Sequence, residues 1–319
     1  MISVAIPAYK ARFLADAIKS VLCQTFSDFE LIIVNDDSPE DIRSIVDQFK
    51  DDRIKYFENK INLGRQNLVL NWNECLKRAS GELFVLFSDD DLYLPEFLDE
   101  VGRISLKYPN ADVFHCAVRI IDESGQSVDF APLCPEFESA ASFIWHRIKG
   151  YRLHFASDFC SRTNALRDIG GFAAMPQGWG SDDITWFTLA TRGGIGYTQR
   201  ELCYYRISEI TISRSGSIPG KLEALCDFEL LMGEILARAS NPSIQDHDLL
   251  LDVKAELPHW IAKRKADQLV GSAHHYGFAA FIRVMLRWIT YRKGYRLSPE
   301  VLMRAISGGV KAFSQSLSI

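Results

Sequence analysis

Three consecutive aspartates, Asp89, Asp90 and Asp91, follow the apolar run "LFVLFS". Like charges in a row repel, and a hard divalent cation bound through oxygen ligands would offset that cost. A second acidic group, Asn35-Asp36-Asp37-Ser38, ends the run "LIIV". A carboxylate there can accept a hydrogen bond from an N–H of a base such as uracil. A third pair, Asp182-Asp183, follows Gly178-Trp179-Gly180 and leads into an amphipathic helix. A general base needs such a carboxylate, held and facing a cleft. Each group also has a plainer reading. Aspartates near a helix start favour the positive end of its dipole, Asp91 included, and Ser38 ahead of Pro39 reads as an N-cap. Trp179 and Trp186 offer flat apolar faces to a sugar ring and are equally ordinary core residues.

The elements that must hold these groups alternate. "SVAIPAY", "FELIIVNDD", "RIKYFEN", "ELFVLFS" and "ADVFHCAVRIID" read as strands, and helical spacing fills the gaps between them. In the first helix Leu14, Ile18, Val21 and Leu22 share one face. Such alternation with apolar strands predicts an α/β fold with a mostly parallel sheet flanked by helices, and ligands in such sheets bind beyond the carboxyl ends of the strands. The first two acidic groups lie at two such ends. Further on, "GIGYTQRELCYYRIS" reads as a returning strand pair, and from Lys221 the chain reads as helical.

Composition excludes several classes. The chain has 319 residues and a net charge of −5, which argues against a general nucleic-acid binder. It opens on "MISVAIPAYK", without a basic stretch ahead of an apolar one, and has no run of 18 apolar residues; the expectation is a cytoplasmic protein. Seven cysteines without a CxxC pair read as reduced thiols. Residues 251–319 carry 11 basic and 4 acidic side chains, although the whole chain is acidic. There, "YGFAAFIRVMLRWITYRKGYR" mixes aromatics with Arg283, Arg287, Arg292 and Lys293. That pattern suits an anionic membrane surface, or a packed helix with a basic outer face.

The order and spacing of "VAIPAYK", "SVLCQTFSDFELIIVNDDS", "NLG", "NWNECLKRASGE", "FSDDDLYLP", "IGGF" and "GWGSDDITW" resemble the GT-A glycosyltransferases of family 2, over about residues 2–215. The resemblance implies a GT-A domain over 1–220, with a nucleotide-binding half of about 1–110 and an acceptor half of about 111–220, followed by a helical region, 221–319. It implies that Pro7, Ala8 and Tyr9 lie against base and ribose, that Asp36 meets the base, and that Asn62 and Gly64 belong to the loop closing over the nucleotide. Aligned through Pro95, the metal motif begins at Ser88 where an aspartate is usual. Asp90 is then the ligand for Mn²⁺ or Mg²⁺, and Asp89 a ribose or sugar contact. Asp183 is the expected base, and Asp182 before it and Trp179 are expected substrate contacts. Arg206 or Arg214 is expected at the diphosphate, and no histidine stands near Ser208 to add a ligand. The implied reaction is inverting transfer from a nucleotide-sugar, a UDP-sugar by default, to a glycan or lipid-linked acceptor, in cell-surface polysaccharide or lipid-linked glycan synthesis at the inner membrane face. The alternatives are a metal-dependent phosphohydrolase or nucleotidyltransferase, which the absence of a DxDxT nucleophile and of a Gly-rich phosphate loop disfavours, and a non-catalytic nucleotide-sugar-binding protein.

Overall fold

The computed structural model describes residues 1–208, 216–239, 244–271 and 278–316. The apolar runs become neighbouring strands. β1 (Ile2–Ala8) pairs in parallel with β2 (Phe29–Asn35) and β4 (Leu83–Leu86), and β2 pairs in parallel with β3 (Ile54–Glu58). Ala8 faces Asn35 in register, so the chain leaves β1 and β2 at one level, beside the acidic residues that follow. Between these strands run α1 (Leu14–Leu22), α2 (Ile42–Val46) and α3 (Leu68–Arg78). Beyond β4 the sheet becomes mixed. The short β5 (Leu92–Tyr93) and α4 (Phe97–Lys107) lead to β6 (Val113–Ile121), which carries the edge hairpin β7 (Ser127–Phe130). Then come β8 (Phe137–Glu138), α5 (Ala140–Ile148), β9 (Phe159–Arg162), α6 (Thr163–Asp168), α7 (Ser181–Ala190) and β10 (Ile195–Arg206). The order across the sheet is β3-β2-β1-β4-β9-β6-β10-β5, with β9 antiparallel to both neighbours.

Alternation along the parallel strands feeds two cores. Val4, Ile6, Leu31, Ile33 and Val85 pack on the α1 side with Leu14, Ile18 and Val21, as the helical spacing requires. Ala5, Ile32, Val34, Phe84 and Leu86 pack on the other face with Phe143 of α5 and Trp186 of α7. The same second core continues into α8 (Ile218–Arg238) and α9 (Ile244–Val270) through Phe228, Met232, Val253 and Ile261. α10 (Phe278–Tyr291) and α11 (Pro299–Ser316) join α9 in a separate small core that includes Val284, Leu297 and Val301.

Three local readings are corrected. Residues 195–206 form one strand, not a pair; register shifts around Glu201 account for the interrupted alternation. Ser38 does not cap α2, because its Oγ donates to the Tyr9 carbonyl at 2.5 Å and Asp41 takes the cap, accepting from Ser44 N. Asp91 caps no helix, since α4 begins six residues later. The cysteines are all free thiols.

Candidate active site

Tyr9 is where the first two acidic groups meet. Its carbonyl accepts from Ser38 Oγ, and its amide donates to Asp89 Oδ2 at 2.9 Å, joined there by the Lys10 amide at 2.8 Å. The end of β1 thus ties the residues after β2 to those after β4. Its phenol ring remains exposed beside them, following Pro7 and Ala8.

The three aspartates have unequal surroundings. Asp91 is fully enclosed and accepts from Ser157 Oγ at 2.5 Å and the Arg206 amide at 2.9 Å. Burial, then the charge of Asp90, pushes its carboxyl up to about 8. Asp89 is pushed up to about 6 by the same two causes, against the two amides that favour its charge. Asp90 accepts from Ser88 Oγ at 2.7 Å and Lys10 Nζ at 3.2 Å. Ser88 therefore does not leave a gap where the usual acid is missing: its hydroxyl orients Asp90. Arg206 is buried and bonds the carbonyls of Asp90, Asp122 and Glu123, with its guanidinium over the Phe13 ring, so it braces the backbone of the aspartate run. Arg214 lies outside the described residues.

Asp36 is buried and holds the following loop. Its Oδ1 accepts from Asn59 Nδ2 at 2.7 Å and Leu63 N at 2.9 Å, and its Oδ2 from Gly64 N at 2.7 Å. A Cβ on Gly64 would stand 2.9 Å from that Oδ2, so a side chain there would push the loop off the carboxylate. Asn62 turns its own Oδ1 to the Arg65 amide.

Asp183, in the first turn of α7, faces Arg147 from the end of α5. Nε and Nη2 of the guanidinium lie 3.0 and 2.9 Å from its two oxygens, and His154 Nδ1 lies 3.4 Å away. Burial alone would raise this carboxyl, but Arg147 outweighs it, His154 adds to the effect, and Asp183 is held well below the usual carboxylate range. The adjacent Asp182 is pushed up to about 7, by burial and then by the charge of Asp183. The loop through His154 and Ser157 links this pair to the aspartates after β4. Ser157 bonds Asp91, His154 meets Asp183, and three residues span at most about 11 Å. Trp179 is half-buried just ahead of α7, whereas Trp186 is core, stacked on Phe159 at 4.8 Å.

Sequence reasoning missed Lys10, Arg147, His154 and Ser157. Lys10 lay in a quoted motif, but Arg147 reads only as a base ending a helix, and the irregular stretch holding His154 and Ser157 gave no signal. Among the described residues, one cluster brings three candidate metal-ligand atoms within 4.8 Å: His115, Cys134 and Glu138. It lies in the core, where Glu138 is already ion-paired with Arg152. The aspartate motif instead offers one carboxylate, Asp90, with a hydroxyl beside it. That oxygen donor set fits Mg²⁺ or Mn²⁺, which take one or two carboxylates and complete their shell with water and phosphate.

The model of the family described as Glycosyl transferase family 2 matches residues 3–175. The chain belongs to that family. Its relatives include a putative glycosyltransferase, EpsE, of Bacillus subtilis, 28% identical over 60% of this chain and 67% of its own length. A second, the GalNAc(5)-diNAcBac-PP-undecaprenol beta-1,3-glucosyltransferase of Campylobacter jejuni, is 43% identical over 28% of this chain and 29% of its own length. An uncharacterised glycosyltransferase of Rickettsia typhi is 34% identical over 41% of this chain, and the match spans only 40% of that protein. Among solved structures, TarS 1-349 of S. aureus in complex with UDP-GlcNAc has a TM-score of 0.62 at 17% identity, covering 99% of this chain and 92% of that one. The mannosyltransferase PcManGT of Pyrobaculum calidifontis, in complex with GDP-Man and Mn²⁺, has a TM-score of 0.56 at 16% identity, covering 98% and 86%. These likenesses establish the GT-A fold of this family 2 chain.

Proposed function

We propose that the chain is an inverting, divalent-cation-dependent glycosyltransferase that moves a sugar from a nucleoside diphosphate sugar to an acceptor hydroxyl. The observation that carries this reading is the joining of both acidic groups at Tyr9, beyond the carboxyl ends of parallel strands. UDP-GlcNAc and GDP-Man with Mn²⁺ in the two structural relatives support a donor of this class, and none of the relatives named above is a phosphohydrolase or nucleotidyltransferase.

The roles divide between residues 1–110 and 111–220. Pro7 and the Tyr9 ring form the floor for base and ribose; Ala8, expected there too, is wholly buried in the core and only backs them. A carboxylate offers about four acceptor sites. Three on Asp36 are taken by the 59–64 segment, and the remaining one serves a base N–H. Asn62 and Gly64 keep the loop over the nucleotide, and Asp89 fixes the edge of the ribose or sugar site. Asp90 would hold the divalent cation, whose charge when bound offsets that of a leaving diphosphate. Lys10 shares that charge-balancing role from the other side of Asp90.

Asp183 receives the acceptor proton as the hydroxyl attacks the face opposite the leaving group, which inverts the anomeric centre without a covalent intermediate. Arg147 keeps Asp183 ionised at every working pH, so it is always available, although weakly basic. A second reading gives the proton to Asp182, which Arg147 does not bond and whose carboxyl is raised by burial and by the charge of Asp183. Trp179 lines the acceptor side.

α10 supports placement at a membrane surface. Opposite its buried Val284, it presents Ile282, Leu286 and Ile289 at 41%, 59% and 53% exposure, one stripe at i, i+4, i+7, with Arg283, Arg292 and Lys293 exposed around it. Arg287 is not part of this basic rim, since it donates to the carbonyls of Leu269 and Val270 at the end of α9. No helix among the described residues is long and apolar enough to cross a membrane. We therefore place the chain peripherally on an anionic, cytoplasmic membrane face, acting on a lipid-linked or cell-surface glycan.

A thermal-shift screen of nucleotide-sugars, with and without Mn²⁺, tests the core of this reading. One donor, UDP-linked by expectation, should stabilise the chain by about 2.7 kcal/mol at a hundredfold excess over its Kd, and more weakly without the cation. The absence of a shift with any UDP-, GDP-, CMP- or dTDP-sugar would sink it.

A further inference from the structure

Arg264, on α9, belongs to the neighbourhood of Asp183, and both lie beyond residues 3–175 that match the family model. Its guanidinium lies 4.8 Å from the Trp260 ring centroid and 5.8 Å from that of Trp179. Arg147 and Asp183 are, in that order, the first charges that act on it. It is half-buried, and among the described residues it makes no hydrogen bond or ion pair. Arg147, by contrast, is consumed by Asp183 and the Arg152 carbonyl. A guanidinium held against aromatic rings keeps its edge N–H groups for a ligand, and that planar fork matches phosphate and carboxylate oxygens. Asp183 and Asp267 act on this partly desolvated cation without forming an ion pair with it, so its N–H edge is left for a bound anion.

The surroundings fix which substrate would bring that anion. Trp179 leads directly into α7, which carries Asp182 and Asp183, and Trp260 packs against Phe228 of α8 at 5.1 Å. Arg264 therefore lies on the side of Asp182 and Asp183. We propose that Arg264, gripped by Trp179 and Trp260, is an acceptor-recognition residue that binds an anionic group, phosphate ester or carboxylate, carried near the hydroxyl that receives the sugar. This rests on the glycosyl-transfer reading and narrows its acceptor to a negatively charged one.

The test uses the full chain and intrinsic tryptophan emission, which Trp179 and Trp260 report directly. Methyl phosphate, glucuronate and neutral glucose are titrated into the native protein and into Arg264→Gln and Arg264→Lys, with UDP and Mn²⁺ binding measured in parallel. At least one anion should bind the native chain saturably, glucose should not, and Arg264→Gln should weaken that anion about tenfold while Arg264→Lys keeps part of it. UDP affinity should stay within about twofold. The tighter anion names the group. Equal anion binding by native protein and Arg264→Gln overturns the assignment, and so does a parallel loss of UDP, which would move Arg264 to the donor. If no nucleoside diphosphate binds the native chain, the transfer reading fails by itself, and the anion titration still reads on Arg264.

Discussion

Arg147 grips Asp183 side-on, with Nε 3.0 Å from Oδ1 and Nη2 2.9 Å from Oδ2. The two residues are 36 positions apart, on different helices, and the contact decides the protonation of the proposed base. Asp183 is held far below neutrality and must be ionised to accept a proton. Turnover should therefore show no acid limb between pH 5 and 8 if Asp183 is the base. If Asp182 is the base, turnover should fall as pH drops through about 7. Asp183→Asn should keep nucleotide affinity and lose ~10²–10⁴-fold in turnover. Near-normal turnover in that variant, with the loss appearing in Asp182→Asn, would transfer the role. Arg147→Gln should let burial raise Asp183 and move the acid limb to higher pH.

Asp90→Ala should remove the cation dependence of UDP binding. Calorimetry with and without Mn²⁺ should give two nearly equal affinities in the variant and two different ones in the native chain. A retained Mn²⁺ effect would take Asp90 out of the ligand set.

Gly64→Ala places a methyl group 2.9 Å from Asp36 Oδ2, where the Gly64 amide now bonds. The loop should be displaced, with nucleotide affinity down about tenfold, which is ~1.4 kcal/mol. The melting temperature should fall as well, because the buried Asp36 loses an amide partner. Unaltered nucleotide binding would separate the loop from the site.

Glu30 is the buried electrostatic tie of the parallel strands. It accepts from Ser3, Ser80 and Lys55, and these bonds, outweighing the burial that would raise its carboxyl, hold it at about 2. Because the folded value is depressed below the ordinary 4.5, the stabilisation is complete above pH 4.5 and fades as pH falls toward 2. Glu30→Gln should cost on the order of 2 kcal/mol at pH 7 and much less at pH 3. Equal destabilisation at both pH values in urea melts would assign the cost to packing instead.

Replacing Ile282, Leu286 and Ile289 together by serine should leave the fold intact, since all three side chains are exposed. Sedimentation with vesicles containing anionic lipid should fall by about tenfold or more, each buried side chain contributing roughly 1.5 kcal/mol or more. Native binding should weaken with salt as the arginines are screened. A native chain that stays in the supernatant would end the membrane proposal.

The parallel half of the fold was legible because β1, β2 and β4 are buried on both faces and read as unbroken apolar runs. β10 misled because its irregular pairing breaks the period of two around Glu201. Ser38 misled because a hydroxyl has several acceptors within reach, and the Tyr9 carbonyl, 29 residues away, takes it. The acidic groups could be found because their types are chemically distinctive. The partners that set their protonation could not be: Arg147, Lys10 and Ser157 are unremarkable in sequence and act only once the chain has folded.

Gly180, at φ 80°, lies directly under Phe228, where a Cβ would meet the ring at 3.1 Å. The loop that introduces Asp182 and Asp183 is thus moulded against α8, and loop, acids and helix all lie beyond residues 3–175. A chimera that grafts foreign C-terminal helices onto the sheet would exchange that ring and so re-aim the two acids. Under the proposed roles, such a graft would change acceptor preference and proton-transfer geometry together.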